Sequence, residues 1–417
     1  MDILEFLDNS PSPAWAAETG ASLLKASGFV EIKPGEDVTV GKIFVRPHSG
    51  MLIAAAVPPK IKANQASFRI IGAHTDSPHL RLKPRAAEEK SGYTVLASEI
   101  YGGALLYTWF DRALGLAGEV YFKTGDAITK TLVKIDESIA IVPSLAIHLQ
   151  RGINEDGFAP AKATALHALI SAKQADFDLH EYLAARAHIS AEQILSYDLS
   201  LFDTQKAVRG GVKNELLSSA RLDNLVSCFA ALSALRDTKT ENTISVVALF
   251  DHEEVGSVSE SGAESGLTEK LLHAFGRAAG LEGENFAQAL ARSIFLSADM
   301  AHGVHPNFAD KHDTENRPRL GDGVTLKVNQ NRRYATSAAT QAVFHDICQT
   351  NQIASQIYTH RNDLPCGSTI GPAVSAALGI PTLDVGVAML GMHSIRETCA
   401  WADLAEYQNF MAAFLAR

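Results

Sequence analysis

Four short apolar runs in this chain each lead into a cluster of histidine and acidic side chains. They are Phe68–Ala73 before His74-Thr75-Asp76, Ile244–Phe250 before Asp251-His252-Glu253-Glu254, Ile294–Ala298 before Asp299-Met300-Ala301-His302, and Thr382–Val387 upstream of Met392-His393. Helical patterns lie between them, at 225–235 and 335–347. In open α/β sheets, ligands bind beyond the carboxyl ends of the strands. The recurrence therefore predicts an α/β fold, a mixed-sheet α/β/α sandwich with its polar residues gathered at one edge.

The segment from 91 to 215 has a different pattern. Its runs at Thr94–Ala97, Gly118–Phe122 and Ile128–Val133 predict strands, and polar helical and loop stretches follow. The chain has 417 residues, and single cores stop growing beyond roughly 250–300 residues. We therefore expect a discontinuous first domain of 1–90 and 216–417, interrupted by an inserted mainly-β domain of 91–215.

Composition excludes several classes of function. No apolar run approaches the roughly 18 residues that would span a bilayer, and the N-terminus has early acids without a basic region, so we expect a soluble cytoplasmic protein. The net charge of −10, without a basic tract, disfavours a nucleic-acid partner. The four cysteines lack Cys-x-x-Cys spacing and are expected to be free thiols.

The adjacent carboxylates Glu253 and Glu254 are the most informative pair in the chain. Neighbouring side chains diverge in extended or turn backbone, so Glu254 can face a metal while Glu253 faces a water bound to that metal. This is the geometry of metal-assisted hydrolysis. A lone Glu-Glu pair is more often part of a solvated surface, so the interpretation depends on the other clusters.

Each of the other candidates has an ordinary structural explanation when it is taken alone. His74 and Asp76 are two apart, so Asp76 can orient a metal-binding His74, although His-Thr-Asp-Ser-Pro is also rich in turn formers. Asp223 is a natural N-cap for the helix that follows it. Taken together, a nitrogen and oxygen set could hold two divalent ions, with one carboxylate shared and Glu253 left as general base: His74, Asp223, Glu254, Asp299 and His393.

The sequence lacks most of the motifs that other hydrolases and nucleotide-binding proteins require. A zincin helix needs His-Glu-x-x-His, but the residue four after His252 is Gly256. There is no Gly-x-Ser-x-Gly elbow and no phosphate-binding Gly-x-x-x-x-Gly-Lys-[Ser/Thr] loop. A cysteine nucleophile at Cys366 stays formally open.

The chain resembles the M18-family metallopeptidases, the aspartyl aminopeptidase group, over nearly its whole length. The resemblance is carried by long motifs: Ser10-Pro11-Ser12-Pro13, His74-Thr75-Asp76-Ser77-Pro78, Leu145 to Arg151, Arg221-Leu222-Asp223-Asn224-Leu225, Asp251 to Ser257, Asp299-Met300-Ala301-His302, Lys327-Val328-Asn329 with Arg333-Tyr334-Ala335, Arg361 to Pro372, and Met392 to Glu397. It implies a fold of the dinuclear-zinc aminopeptidase type.

The resemblance also implies roles for particular residues. Two Zn²⁺ per subunit would be held by His74 and Asp299 on one ion and by Glu254 and His393 on the other, with Asp223 bridging the two. Co²⁺ or Mn²⁺ could replace one zinc.

Glu253 would activate the water, supported by Asp76. The substrate site would be lined by Lys327 and Tyr334, with His302 and Arg361 as further candidates. A histidine from the inserted domain of a neighbouring subunit would complete the site.

His148 is the best match for that donated histidine, although Ser144 stands where some relatives carry one, so the position stays open.

The resemblance further implies a homo-oligomer, a dodecamer built from dimers. The expected function is removal of N-terminal residues, preferentially Asp or Glu, from peptides by hydroxide attack on the scissile carbonyl. Lys327 would pair with the substrate's acidic side chain, and Arg361 is a second candidate for that role. Arg361 could equally form a buried structural ion pair within Arg361-Asn362-Asp363.

Three alternatives remain open at this point. The enzyme could prefer neutral residues such as Leu. The metal ligands alone would also permit another dinuclear hydrolase reaction, such as deacylation or carboxypeptidase cleavage. The chain could instead be a non-enzymatic, zinc-stabilised oligomeric scaffold, although a structural zinc site has no use for an additional base such as Glu253.

Overall fold

A computed structural model of the chain describes residues 1–33, 35–173, 176–239 and 241–417. Within them the α-helices are α1 Ile3–Asp8, α2 Pro13–Ala26, α3 Ile153–Asp156, α4 Leu179–Ala187, α5 Leu222–Asp237, α6 Leu267–Ala278, α7 Gly283–Ala291, α8 Ala338–Asn351, α9 Ile370–Leu378 and α10 Trp401–Ala416. The strands are β1 Val30–Glu31, β2 Gly41–Val45, β3 Leu52–Val57, β4 Ser67–His74, β5 His79–Lys90, β6 Tyr93–Tyr101, β7 Leu114–Thr124, β8 Ala127–Ala140, β9 Ala168–Ser171, β10 Ile194–Asp203, β11 Val208–Gly210, β12 Leu216–Ser219, β13 Thr243–Phe250, β14 Ile294–Ala298, β15 Ala301–His302, β16 Val324–Val328, β17 Ser355–Thr359, β18 Thr382–Leu390 and β19 Glu397–Ala400.

The chain divides into two compact units. The first comprises Met1–Asp76, Ala207–Met392 and Glu397–Arg417, and the second comprises Ser77–Lys206 and His393–Arg396.

The first unit is built on a large mixed sheet. Its strand order is β1-β2-β3-β13-β4-β14-β18-β19-β12-β11, and β16 pairs with both β17 and β18. The four central strands β13, β4, β14 and β18 are mutually parallel. Their carboxyl ends therefore meet at one edge of the sheet, as expected from the sequence.

Helical layers cover both faces of this sheet. Alternate side chains of β4 enter opposite cores: Ile71 and Ala73 pack with α2, α5 and α10, whereas Phe68 and Ile70 pack with α6, α7 and α9. This is the period of two expected of a strand buried on both faces. The first unit is therefore the three-layer α/β/α sandwich that the sequence predicts.

Local sequence signals explain where the helices begin. In α2 the side chain of Ser12 accepts a hydrogen bond from the amide of Trp15, and Pro13 occupies the first helical position, where its missing N–H costs nothing. In α8, Ser337 and Thr340 form a reciprocal capping box. The sequence predicts a helix at 335–347, and the structure has one at Ala338–Asn351.

The second unit contains a separate antiparallel sheet. Its strand order is β8-β7-β10-β5-β6-β9, and one core cluster that includes Leu116, Leu199 and Leu183 of α4 packs against it. The fold class predicted from the sequence, an α/β sandwich with an additional mainly-β part, is confirmed.

The boundaries of the two units follow strand pairing rather than the change in sequence pattern. The sequence predicts an insertion of 91–215, whereas the second unit takes in Ser77–Lys206. The strand β5 belongs to it because β5 pairs with β6 and β10. The segment 207–219 belongs to the first unit because β11 and β12 join the large sheet through β19. Among the described helices, none is both long and apolar enough to cross a membrane.

Candidate metal centre

The carboxyl ends of the central strands bring the predicted ligands together. His74 is the last residue of β4 and is paired with Phe250, the last residue of β13. Asp299 follows β14 directly, and Glu253 and Glu254 lie in a short 3₁₀ turn, Glu253–Val255, just after β13. These side chains, 225 residues apart in sequence at the extremes, converge because the strands are parallel neighbours.

The imidazole of His74 lies at the centre of this group. It is 2% exposed, and its Nε2 is 3.5 Å from Asp223 Oδ1 and 3.6 Å from Asp299 Oδ1. Two ligand atoms bound to one zinc at about 2 Å lie roughly 3.3 Å apart in a tetrahedron. These separations match the shared coordination of one cation.

Glu254 extends the group. One ligand atom from each of His74, Asp223 and Glu254 lies within 4.8 Å of the other two. A mixed set of imidazole nitrogen and carboxylate oxygens is a typical zinc donor set. The residues present therefore fit the zinc that the sequence predicts.

Asp76 organises both halves of the site. Its Oδ1 is 3.4 Å from His74 Nδ1, and its own carbonyl oxygen is 3.0 Å from the same nitrogen. The same carboxylate accepts the amide N–H of Glu253 at 3.2 Å and that of Glu254 at 3.0 Å. This buried residue thus orients the imidazole and fixes the turn that carries the paired glutamates.

Asp223 does not act as the helix N-cap that the sequence predicts. The residue that precedes α5 is Arg221, in the left-handed conformation and without a side-chain cap, and Asp223 lies inside the first turn with non-helical backbone angles. Its amide donates to Glu397 Oε2 at 3.0 Å, and the next side chain, Asn224, donates to the carbonyl of Ala298 at 2.8 Å. The carboxylate of Asp223 is therefore directed to His74 instead of to the helix amides.

Asp299 is held from the other side by a buried lysine. Lys327 is 2% exposed, and its Nζ donates to Asp299 Oδ2 and to the carbonyl of Met300, each at 2.9 Å. The aromatic ring of Tyr334 lies 5.0 Å from the same ammonium. One oxygen of Asp299 thus faces His74 while the other is paired with a cation.

The electrostatics of the centre follow from this crowding of acids. Burial by itself lowers the pKa of His74, but the carboxylates of Asp223, Asp299 and Asp76 outweigh it and raise that pKa well above its usual value. Burial raises the pKa of Glu253 to about 8, opposed by His74 and reinforced by Asp299. Both directions are those expected where several carboxylates lie close together in a buried place, which favours the binding of a cation.

The predicted substrate residue His302 lies near two residues that sequence reasoning missed. Its ring is 5.8 Å from that of Tyr358 and 6.4 Å from that of His360, and the Tyr358 hydroxyl is 2.7 Å from His360 Nδ1. Burial and the nearby Lys327 lower the pKa of His302 to about 4. Tyr358 is paired with Lys327 in the β16–β17 register, and the available sequence signal was Tyr-Thr-His at a strand end.

The remaining predicted residues lie in other surroundings. Arg361 forms two hydrogen bonds with the Asp363 carboxylate, at 2.6 and 2.9 Å, and donates to the carbonyl of Asp310. His393 belongs to the second unit, where its Nδ1 is 3.1 Å from the carbonyl oxygen of Gly103. His148 and Ser144 are exposed in that unit. The roles of these residues stay predictions.

Comparison with known proteins points to one family. Residues 6–415 match the family model described as aminopeptidase I zinc metalloprotease (M18). A probable M18 family aminopeptidase 2 of Pseudomonas fluorescens strain SBW25 is 40% identical over 99% of this chain and 97% of its own length. The solved structure of the Ape4 and Nbr1 complex matches with a TM-score of 0.94 and 34% identity, over 100% of this chain and 85% of that one. The S. cerevesiae mApe1 dodecamer matches with a TM-score of 0.86 and 27% identity, over 99% and 95%.

We predict that zinc binding to the metal-free protein weakens as pH falls from 8 to 6. His74 ligates a metal only when it is neutral, and the surrounding carboxylates raise its pKa, so binding must release a proton wherever the imidazole is protonated. The apparent affinity should fall by about ten-fold for each pH unit below the His74 pKa. Competition against a chromophoric chelator, corrected for the chelator's own protonation, measures this slope.

His345→Gln is the matched control, because His345 lies on α8 beside Gln341 and should leave the slope unchanged. Calorimetry in two buffers of different ionisation enthalpy counts the protons released. An affinity that stays within two-fold across this pH range would contradict the prediction.

Proposed function

Because the chain belongs to the M18 family of zinc metalloprotease aminopeptidases, we propose that it cleaves Asp and Glu preferentially at a dinuclear zinc centre. As a member of that family it is a metallopeptidase that removes N-terminal residues. The observation that carries the finer proposal is the position of His74, between the carboxylates of Asp223 and Asp299 and within ligand distance of Glu254.

The proposal assigns the five candidate ligands to two zinc ions. His74 and Asp299 would hold one zinc, Glu254 and His393 the other, and Asp223 would bridge them. The distances from His74 to Asp223 and Asp299 support the first ion and the bridge. Zinc, when bound, lowers the pKa of a water toward neutrality and polarises the scissile carbonyl.

The chain's own residues would supply the proton transfer and the positioning. Glu253 shares its turn with Glu254, and its backbone is fixed by Asp76. As the unligated neighbour of a ligand, Glu253 would take a proton from the attacking water and pass it to the leaving amine. Lys327 and Tyr334 would border the substrate, and the acids of the centre would attract its free α-amino group.

The first test is Glu253→Gln, which keeps the size of the side chain and removes its basicity. We expect kcat to fall by about 10²–10⁴-fold, with zinc content and mass unchanged. Glu260→Gln, at an exposed position of the same loop, is the control and should retain activity. Full hydrolysis by the Glu253→Gln protein would refute its role as base and would favour a scaffold with a dispensable site.

The second test concerns the substrate's side chain. Lys327 is buried and uses two of its donors on Asp299 and Met300, and an ammonium has three. A substrate carboxylate would satisfy the third, so we expect kcat/KM for Asp- and Glu-anilides to exceed that for the Leu-anilide by about ten-fold or more. N-acetylated Asp-anilide should not be cleaved. A faster Leu substrate would remove the acidic assignment, and cleavage of the blocked substrate would point to a different hydrolase reaction.

We also propose that the chain forms a homo-oligomer in which His148 completes a neighbouring site. The segment around His148 exposes Leu145, Ile147 and Leu149 by 54%, 47% and 73%, and clustered apolar side chains of this kind mark interaction surfaces. A structure with 27% identity is described as a dodecamer.

Complementation in mixed oligomers tests this subunit arrangement. Subunits with His148→Ala and subunits with Glu253→Gln should each be nearly inactive alone. Co-expressed, they should regain about a quarter of the wild-type activity, because half of randomly formed dimers are mixed and each mixed dimer has one complete site. Ser144→Ala in place of His148→Ala reports whether position 144 makes the contact. Mixtures no more active than the sum of their parents would show that His148 is not shared between subunits.

A further inference from the structure

Asp384 is a buried acid in the interior of the large sheet. It lies in β18 between Leu383 and Val385 and is 0% exposed. Burial raises the pKa of its carboxyl group, and the nearby Lys327 opposes this shift. A carboxylate in such a place is costly unless hydrogen bonds compensate it. Strand formation does not require an acid at this position.

The bonds made by Asp384 fix one segment of chain, residues 334–336. Its Oδ2 accepts the amide N–H of Ala335 at 2.6 Å. Its own amide donates to the hydroxyl of Thr336 at 2.9 Å. The residue before these two, Tyr334, is thereby held at the sheet.

A second segment, residues 366–371, meets the same carboxylate. The Thr369 hydroxyl donates to Asp384 Oδ1 and accepts the amide of Gly371 at the start of α9. A Cβ at Gly371 would lie 2.6 Å from Asp384 Oδ2. Glycine at that position therefore allows the positive N-terminus of α9 to approach the acid closely.

The two segments are also bonded to each other around Tyr334. The Ser368 hydroxyl donates to the carbonyl of Arg333 at 3.1 Å, and the Cys366 thiol lies close to the Tyr334 hydroxyl. On its other side, Tyr334 faces the ammonium of Lys327 at 5.0 Å. Lys327 is the residue directly opposite Asp384 in the antiparallel pair β16–β18.

From this geometry we propose that Asp384 is a positioning residue, which ties the segments 334–336 and 366–371 together and so holds Tyr334 against Lys327. Its hydrogen bonds to Ala335, Thr336 and Thr369 involve no candidate metal ligand, and it acts through Tyr334. The kinetic part of this inference rests on the proposed role of Tyr334 at the substrate. The structural part does not, because the order of the two segments can be measured without substrate.

Cys366 provides that measurement. It is partly exposed, whereas Cys228, Cys348 and Cys399 are buried. In the zinc-loaded enzyme carrying Asp384→Asn, one oxygen acceptor is lost, so the 366–371 segment should open more often. We expect iodoacetamide to alkylate Cys366 at least ten-fold faster than in the wild type, as followed by peptide mass spectrometry, while the other three cysteines stay unmodified.

Asp403→Asn is the matched control. Asp403 is a comparably buried acid, 1% exposed, which accepts the amides of Gly321 and Gly323 at 2.8 and 2.9 Å. Its loss should change thermal stability without changing the Cys366 rate. If Asp384→Asn does not fold, Thr369→Val tests the proposal in its place. It removes one hydrogen bond to Asp384 and should accelerate alkylation of Cys366 relative to the wild type, by less than Asp384→Asn would.

A kinetic cycle shows whether the effect passes through Tyr334. Asp384→Asn should lower kcat/KM at least ten-fold in the wild-type background and by no more than two-fold in the Tyr334→Phe background. An alkylation rate within two-fold of the wild type, or one raised equally by Asp403→Asn, would overturn the proposal, and so would additive losses in the cycle. If Tyr334→Phe is fully active, the proposed substrate role of Tyr334 fails, and the alkylation rates still decide the role of Asp384.

Discussion

The geometry of the centre depends on the buried carboxylate of Asp76. It faces the imidazole of His74, at the end of β4, and accepts the two amides of Glu253 and Glu254, after β13. These strands are parallel neighbours, but parallel pairing alone fixes only the backbone. The shared acid fixes the orientation of the ring and the path of the turn together, so neither can shift without losing its contact with Asp76.

Placing so many acids in one buried edge has a consequence for folding. Each carboxylate near His74 loses hydration, and the imidazole offsets only part of the repulsion between them. The metal-free protein should hold its proton on His74 tightly for this reason. Metal binding releases this strain, so the free energy of binding contributes to the stability of the fold as well as to function.

The sequence reveals the main features of this site because they are local in the chain. An apolar run followed by an acid or histidine is visible within ten residues, and the structure brings His74, Asp223, Glu254 and Asp299 together at the strand ends. The positions of Asp384 and Tyr358 opposite Lys327 were not visible in the sequence, because they arise from the pairing of β18 and β17 with β16, which no local pattern specifies. An acid inside the run Thr382–Val387 was the available hint, since such residues are seldom fully buried without a partner.

The charges around the metal centre explain why Lys327 is paired with Asp299 while Asp384 is bonded to neutral groups. Around His74 stand five acids, Asp76, Asp223, Glu253, Glu254 and Asp299. In the proposed dinuclear centre, two divalent ions and the Lys327 ammonium would carry an equal amount of positive charge, so the buried edge is close to neutral with His74 uncharged. Asp384 lies outside that balance. Its hydrogen bonds come from an amide and a hydroxyl, the N-terminus of α9 lies close to it, and the nearby charge of Lys327 also favours its ionised form. The Lys327 ammonium stays hydrogen-bonded to Asp299 and Met300, so Asp384 can order the Tyr334 segment without drawing Lys327 away from Asp299.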